Sequence, residues 1–337
     1  MTNIKEIETL DYLGASNPLL SICIPTRDQP EALARLLKSF VKERRDFLIE
    51  ILVNDGSENG SAAEIVNEYS QYVNMRYRKR IGNDIDSGII ELVRDARGDY
   101  IWFIGDDELV GGAIDHIASC QGIRERAEFI FVETRNHETG AAQINLPLSR
   151  YFKDRDELLL LAGTGLAFIS SNIFRSDIAE KNLAYLEQFR GTDFCNFALS
   201  ISVIANSERH FYLNQPLVIN YPHSIQEHKR RRKFTNGLPE NNFFNIFGVS
   251  WKKILFGQKK HFRASTLRTS VRSVFSSTWK GVVVGWAGGW DTPRGKKFLL
   301  LKHFWNLPEA WFVFVIFLLP TSFIRHSYRF YKIIRLL

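Results

Sequence analysis

The amino-acid sequence predicts an α/β protein in which helices cover both faces of a mostly parallel, Rossmann-like sheet, with a basic and mainly helical C-terminal region. Two observations lead to this prediction. Short apolar runs alternate with segments of helical periodicity, an order typical of parallel sheets. The charge also changes sign, because residues 221–337 carry 21 Lys and Arg against 4 Asp and Glu, whereas residues 1–220 carry 23 against 33.

The elements of the first third of the chain follow from the spacing of its apolar residues. We expect four strands, at 19–24, 48–53, 74–78 and 99–104, and three helices, at 30–45, 62–71 and 86–96. The later pattern is less regular. There we expect strands at 128–133 and 217–221, a strand or turn within 163–175, and an apolar helix at 193–205.

A chain of 337 residues is long enough for one α/β domain and an appendage. We expect a domain at 1–225, divided near residue 120, and a basic, aromatic-rich region at 226–337. The three cysteines, Cys23, Cys120 and Cys195, lie far apart and lack metal-ligand spacing, which predicts reduced, buried thiols. The first residues have no apolar core, so we expect no signal peptide and a cytoplasmic location.

Polar residues follow three of the predicted strands, at the point where each strand ends. The first strand ends at Pro25 and is followed by Thr26, Arg27 and Asp28. Asn54 and Asp55 follow the second strand, and Asp106 and Asp107 follow the fourth. Ligands of open parallel sheets bind beyond the carboxyl ends of the strands. The three strand ends therefore predict one binding site along a single edge of the sheet.

The acidic cluster 106–108 is the strongest chemical signal in the sequence. Adjacent carboxylates repel each other unless a cation or a proton intervenes, and such oxygen ligands suit Mg²⁺ or Mn²⁺ held together with substrate phosphates. The competing interpretation is a solvated acidic turn. Asp55 can accept hydrogen bonds from a base or ribose, or cap the next helix, and Arg27 and Arg80 can neutralise a diphosphate or be surface charges.

Three segments carry a resemblance to a known family. LLSICIPTRDQPEALARLLKSF, EILVNDGSENGSAAEIV and ARGDYIWFIGDDELVGGAI resemble, in order and spacing, the N-terminal half of family 2 glycosyltransferases with the GT-A fold. The segment WFIGDDE is similar in sequence to abequosyltransferase-like enzymes of O-antigen assembly. Two positions depart from the family pattern: Asn54 stands where an Asp is usual, and Gly105 stands at the first Asp of the Asp-x-Asp motif.

The resemblance implies a nucleotide-sugar donor and a divalent metal, Mn²⁺ or Mg²⁺. Asp55 matches the residue that contacts the nucleobase, Asp106 a position near the donor ribose, and Asp107 the metal-binding position. His223 is a further candidate for the metal or diphosphate, although a lone His is more often structural. The donor site implied by the resemblance and by the strand ends comprises Pro25, Thr26, Arg27, Asp55, Arg80 and Asp106.

The resemblance also implies an inverting transfer, in which a downstream carboxylate deprotonates an acceptor hydroxyl. Asp193 matches that base best, because it precedes an apolar helix in a Gly-Thr-Asp turn. The competing interpretation is that Asp193 caps this helix. Glu187 and Asp177 are the alternative candidates for the base.

The C-terminal region predicts an anionic membrane surface as a partner. Its apolar run at 310–319 is ten residues long, short of the roughly 20 that span a bilayer, and aromatic and basic residues flank it. We expect a peripheral or monotopic anchor at the cytoplasmic face of the inner membrane, and a polyprenyl-linked saccharide as acceptor. The competing interpretation is a buried core helix with a basic face. No nucleic-acid motif accompanies the basic run 228–233, so we expect no nucleic-acid partner.

Two other function classes compete with an enzyme of this kind. A non-catalytic, membrane-anchored module with the same fold is the alternative, because the first Asp of the motif is missing. A dinucleotide-dependent oxidoreductase is rejected, because the Gly-x-Gly-x-x-Gly turn expected after the first strand is absent.

Overall fold

Four parallel strands form the first half of a single sheet, as the apolar periodicity predicted. In the computed structural model they are β1 (Leu20–Thr26), β2 (Ile49–Asp55), β3 (Met75–Lys79) and β4 (Tyr100–Phe103). Their order is β3-β2-β1-β4. The structure describes residues 18–41, 48–80, 84–110, 112–135, 144, 146–220, 249–287, 302, 304–320 and 322–323.

The second half of the sheet is mixed in direction. It contains β5 (Glu108–Val110), β6 (Phe129–Arg135), β7 (Arg150–Tyr151), β8 (Asn172–Arg175) and β9 (His210–Asn220). Strand β8 pairs antiparallel with both β4 and β6, so β6 runs in the same direction as β4. The path along the sheet continues β4-β8-β6-β9-β5, with β7 against β9. Two 3₁₀ turns, at 163–167 and 169–171, precede β8. They lie in the segment 163–175, for which we expected a strand or a turn.

Helices cover both faces of the sheet, as predicted. On one face lie α1 (Pro30–Val41), α2 (Ala62–Tyr69), α4 (Ala113–Ser119) and α5 (Gln121–Arg124), whose apolar side chains share one buried cluster. On the other face lie α3 (Ile85–Asp95), α6 (Arg155–Ala162), α7 (Ser176–Lys181), α8 (Leu183–Glu187) and α9 (Cys195–Ala205). Alternating side chains of the strands divide between the two clusters, as the period of a strand requires.

The described C-terminal helices extend the second of these clusters. They are α10 (Trp251–Gly257), α11 (Ala264–Ala287) and α12 (Pro308–Leu318). Trp251 of α10 is fully buried and stacks on Phe197 of α9, with ring centroids 3.9 Å apart. Phe304, Leu307, Ala310 and Val313 are buried in the same cluster as α3 and α9. The described part of the region 226–337 therefore shares its core with the sheet.

Helix α12 has two apolar faces. One packs into the core, and the other leaves Trp311 54%, Phe312 72% and Val315 61% exposed. Among the described residues, no helix combines the length and the apolar character that crossing a bilayer requires. Cys23, Cys120 and Cys195 are free and buried, as predicted.

Candidate active site at the carboxyl edge of the sheet

Strand register places the predicted polar residues side by side. Thr26 pairs with Asp55 across β1 and β2, and Asp55 pairs with Lys79 across β2 and β3. Cys23 of β1 pairs with Phe103 of β4. Thr26 and Asp106 each lie three residues after this pair, so both lie at the same edge of the sheet. Parallel pairing thus brings the ends of β1, β2, β3 and β4 to one edge, as the sequence predicted.

The end of β1 is tied directly to the acidic turn. The hydroxyl of Thr26 donates to Asp106 Oδ2 at 2.6 Å, and both residues are buried. Asp107 is partly exposed, and its Oδ1 lies 2.8 Å from where a Cβ on Gly105 would be. The site thus has one carboxylate tied to the sheet and one at its surface. Glycine at 105, where the family pattern has Asp, gives Asp107 this space.

Glu108 does not share the role predicted for the acidic cluster. It is 3% exposed, and its Oε2 accepts hydrogen bonds from Ser170 Oγ and, at 2.9 Å, from the N–H of Gly105. Burial, and after it the charges of Asp107 and Asp106, raises the pKa of Glu108 to about 8. The two hydrogen bonds oppose this shift but do not cancel it. At pH 7 its carboxyl is therefore mainly neutral and links the acidic turn to residue 170. The burial of Glu108 excludes, for this residue, the interpretation of the acidic cluster as a solvated turn.

Asp55 is fully buried and organises the loop that follows β2. Its oxygens accept hydrogen bonds from the N–H and hydroxyl of Ser57, from the N–H of Ala62 at 3.2 Å and from the hydroxyl of Tyr77 at 3.0 Å. A carboxylate has about four accepting positions. A nucleobase that donates to Asp55 would therefore displace one of these donors, and Tyr77, which is partly exposed, is the donor at the rim.

Arg80 is buried beneath the same loop. Its Nε donates to Asn54 Oδ1 at 3.0 Å and its Nη1 donates to the carbonyl of Asp84. A Cβ on Gly56 would clash with Arg80 Nη2, so glycine at 56 gives the guanidinium its space. Burial lowers the pKa of Arg80, although Asp84 and Glu91 oppose the shift. These contacts favour a role for Arg80 in shaping the site, and they exclude the interpretation as a surface charge.

The departure of Asn54 from the family pattern has a local cause. Its amide accepts from Arg80 and donates to Glu91 Oε2 at 2.9 Å. An Asp at this position would place its carboxylate against the carboxylate of Glu91, where Asn54 places an amide N–H donor. Glu91 lies 37 residues from Asn54, so sequence spacing gave no sign of this contact.

Asp193 lies on a loop that is docked onto the start of α3. Residue 193 has a left-handed backbone, with φ 58°, and is exposed. Desolvation, followed by the charge of Asp84, raises the pKa of Asp193. The N-cap position of α9 is Phe194, which makes no side-chain capping hydrogen bond. Because α3 follows β3, its first turn lies at the carboxyl edge, and Asp193 therefore lies on the same edge as Asp107.

The alternative candidates for the base are held elsewhere. Glu187 accepts from Arg190 and from Arg94, in the last turn of α3, at distances of 2.7 to 2.9 Å. Asp177 pairs with Arg175, whose strand partner Tyr100 begins β4, so Asp177 lies at the opposite edge of the sheet. Of the three carboxylates considered as a base, Asp193 is thus the one whose loop contacts the first turn of α3. His223 lies outside the described residues.

The residues present fit a metal that is shared with substrate. No group of three or more His, Cys, Asp or Glu suited to a metal occurs within the described residues. Magnesium and manganese sites of this kind use one or two carboxylates together with substrate phosphates and water. Asp107 and Asp106 provide carboxylates of this kind at the strand end, whereas Glu108 is buried and bonded to Ser170 and to the N–H of Gly105.

Comparison with known proteins agrees with this geometry. Residues 21–114 match the profile of the family described as Glycosyl transferase family 2. The curated protein Abequosyltransferase RfbV of Salmonella typhimurium is 30% identical over 146 residues, which cover 42% of this chain and 43% of that protein. The matched segment thus spans less than half of the relative. The profile match confirms the resemblance to family 2 glycosyltransferases over the part that carries β1 to β4 and the acidic turn, and the similarity to RfbV supports its abequosyltransferase-like form.

Solved structures show that the fold extends over almost the whole chain. TarS residues 1–349 of S. aureus superpose with a TM-score of 0.54 at 13% identity, covering 92% of this chain and 91% of that one. The structure of the same protein in complex with UDP-GlcNAc gives a TM-score of 0.57 at 11% identity, with the same coverage. At such identities the likeness concerns the fold alone.

The contacts of Asn54 generate a direct prediction. Asn54→Asp should lower the free energy of unfolding by about 1–3 kcal/mol, because a buried acceptor replaces the donor to Glu91. Glu91→Gln in that background should restore most of the loss, because its amide can donate to the carboxylate introduced at position 54. The free energies are measured by urea denaturation of the two single variants and the double variant. Additive losses would show that Asn54 and Glu91 do not interact.

Proposed function

We propose that this protein is a metal-dependent, inverting glycosyltransferase that moves a hexosyl or deoxyhexosyl group from a nucleotide-diphosphate donor to an acceptor hydroxyl. One observation carries the proposal. Thr26, Asp55 and Asp106 lie side by side at the carboxyl edge, within the segment that matches the glycosyltransferase family.

The donor would lie along this edge. Asp55 would receive the base in place of Tyr77, and Thr26 and Arg27 would border the path of the diphosphate. Asp106, held by Thr26, would lie near the ribose. The solved structure of TarS with UDP-GlcNAc supports this class of donor, because a protein of the same fold binds a nucleotide sugar. The name of the Salmonella relative supports a deoxyhexose and a role in O-antigen assembly.

Asp107 would hold Mn²⁺ or Mg²⁺, with Asp106 beside it. When bound, the metal offsets negative charge on the departing diphosphate. The hydrogen bond from Ser170 to Glu108 fixes the acidic turn from the side opposite β1.

Asp193 would accept the proton of the acceptor hydroxyl. The oxygen then attacks the anomeric carbon from the side opposite the diphosphate, which inverts the configuration. The raised pKa of Asp193 brings a carboxylate base closer to the operating pH, where general bases are most effective. A base must be deprotonated, so activity should fall as pH drops through this raised pKa.

The exposed aromatic residues on α12 and just before it support a membrane-bound acceptor. Trp305, Trp311 and Phe312 are 64%, 54% and 72% exposed, and the chain from 221 onward carries a formal charge of +17. Apolar insertion and attraction to anionic lipid together give stable attachment. We place the enzyme at the cytoplasmic face of the inner membrane, acting on a polyprenyl-linked saccharide. The packing of the opposite face of α12 into the core would fix the orientation of the site relative to that surface.

The metal assignment is tested by Asp107→Ala. Release of nucleoside diphosphate from a panel of nucleotide sugars with Mn²⁺ should fall by at least about 10²-fold, because charge compensation by a metal is worth several kcal/mol. Asp115→Ala, an exposed acid on α4, is the control and should remain active. Full activity of Asp107→Ala, or of the wild type in excess chelator, would contradict the metal-dependent mechanism. A wild type with no turnover on any donor would favour the non-catalytic module.

The base assignment is tested by Asp193→Asn. Asparagine tolerates the left-handed backbone at φ 58°, so the loop is kept while the proton acceptor is lost. The rate should fall by about 10²–10⁴-fold. Asp177→Asn, at the opposite edge of the sheet, is the control and should turn over normally. Normal turnover of Asp193→Asn itself would place the base elsewhere.

Membrane attachment is tested by exchanging Trp311 and Phe312 for Ser. Partition onto anionic vesicles at low salt should fall by about 10-fold or more, because each buried aromatic contributes about 1.5–3 kcal/mol. Leu148→Ser, which is 73% exposed outside this face, should leave partition unchanged. Sedimentation with vesicles measures the effect. Wild-type protein that stays in the supernatant would show that α12 has no membrane role.

A further inference from the structure

Asp86, a residue that no sequence pattern singled out, lies fully buried in the first turn of α3. Its Oδ2 accepts the N–H of Thr192 at 2.7 Å and of Asp193 at 2.8 Å, and its Oδ1 accepts the N–H of Cys195 at 2.8 Å. One carboxylate thus binds three backbone donors from a loop more than 100 residues away. These include the residue assigned as base and the first N–H of α9.

The loop that Asp86 binds has two residues with a left-handed backbone, and this backbone is unfavourable at Asp193 but not at glycine. Gly191 has φ 79° and Asp193 has φ 58°. A left-handed conformation is unfavourable for a non-glycine residue, although Asp tolerates it better than most residues. Such a conformation persists where the surroundings determine it strongly. The three hydrogen bonds to Asp86 are contacts of that kind.

A second group of contacts docks the same loop onto α3. Arg190 Nη1 donates to Ser87 Oγ, and Ser87 donates from its N–H and its hydroxyl to the carboxylate of Asp84, each at 2.7 Å. The start of α3 therefore holds the loop on both sides of Gly191. Arg190 and Ser87, which is itself bound to Asp84, form the outer contact, and Asp86 forms the buried one.

The chemistry of Asp86 matches a docking role. Burial raises the pKa of its carboxyl, and the three N–H donors oppose the shift. Its place in the first turn of a helix also favours negative charge there. A second buried carboxylate, Glu50, accepts from Ser21, from the N–H of Arg97 and from the guanidinium of Arg76 at the amino edge of the sheet, remote from the site. Glu50 thus provides a control for the loss of a buried carboxylate away from the site.

We propose that Asp86 is the positioning residue of this active site, which sets the place and backbone conformation of Asp193 by binding the N–H groups of 192, 193 and 195. The proposal rests on the proposed function in so far as Asp193 is the base. Asp86 itself touches neither donor nor acceptor and acts through the loop.

The test is Asp86→Asn, which keeps the size of the side chain but turns one acceptor into a donor that faces backbone N–H groups. Release of nucleoside diphosphate from the donor that the wild type cleaves, with Mn²⁺, should show kcat lowered by about 10²-fold, because small misplacement of a catalytic group costs about this much. The KM for the donor should stay within about 3-fold. Glu50→Gln should leave both constants near the wild type.

The double variant Asp86→Asn/Asp193→Asn separates positioning from general loss of structure. If Asp86 acts through Asp193, the double variant should be no slower than Asp193→Asn, within about 3-fold. If the two losses multiply, Asp86 acts independently of Asp193 and the proposal is overturned. An unchanged kcat in Asp86→Asn overturns it as well.

A readout without turnover keeps this proposal distinct from the proposed function. Hydrogen exchange of the amides of Thr192, Asp193 and Cys195 should be at least about 10-fold faster in Asp86→Asn than in the wild type or Glu50→Gln. Unchanged exchange would overturn the proposal whatever the activity. A wild type that cleaves no donor would instead contradict the proposed function, and with it the catalytic part of this proposal, while exchange still decides whether Asp86 holds the loop.

Discussion

In-register parallel pairing of β1 with β2 and β4 is the constraint on which the site depends. This pairing places the ends of the three strands, and with them Thr26, Asp55 and Asp106, at one edge of the sheet. The connecting loops need not contribute to that placement. A shift of one residue in any pair would turn these side chains to the opposite face of the sheet. The apolar clusters on both faces prevent such a shift, because β1, β2 and β4 each contribute side chains to both of them.

Buried carboxylates then shape the loops beyond the strand ends. Asp55 holds the loop after β2, Glu108 links the acidic turn to Ser170, and Asp86 holds the loop before α9. Each is surrounded by N–H or O–H donors, as buried acids must be. Asp107 is partly exposed and Asp193 exposed, so both would be open to the substrates of the proposed reaction. The division between buried, bonded acids and accessible acids is what turns an acidic strand end into a site.

Sequence reasoning predicted the first half of the fold well, because β1, β2 and β4 are mainly apolar runs that alternate with amphipathic helices. It also predicted the shared edge, since that follows from parallel topology alone. Within 163–175 it left a strand or a turn open, and that segment contains the two 3₁₀ turns and the antiparallel β8. Its apolar residues have no clear period that could decide between the two. Asp86, Glu91 and Ser170 were missed because their partners are 37 to 109 residues away. The neutral state of Glu108 was missed because burial, not spacing, causes it.

A crystal structure of the protein with Mn²⁺ and the tightest-binding member of a panel of nucleotide sugars would show whether the carboxyl edge binds a nucleotide-diphosphate sugar with a divalent metal. We expect the diphosphate at the ends of β1 and β4, with Mn²⁺ on Asp107 and the sugar facing Asp193. A nucleotide bound at any other edge, or a diphosphate without contact to metal or Asp107, would contradict this expectation.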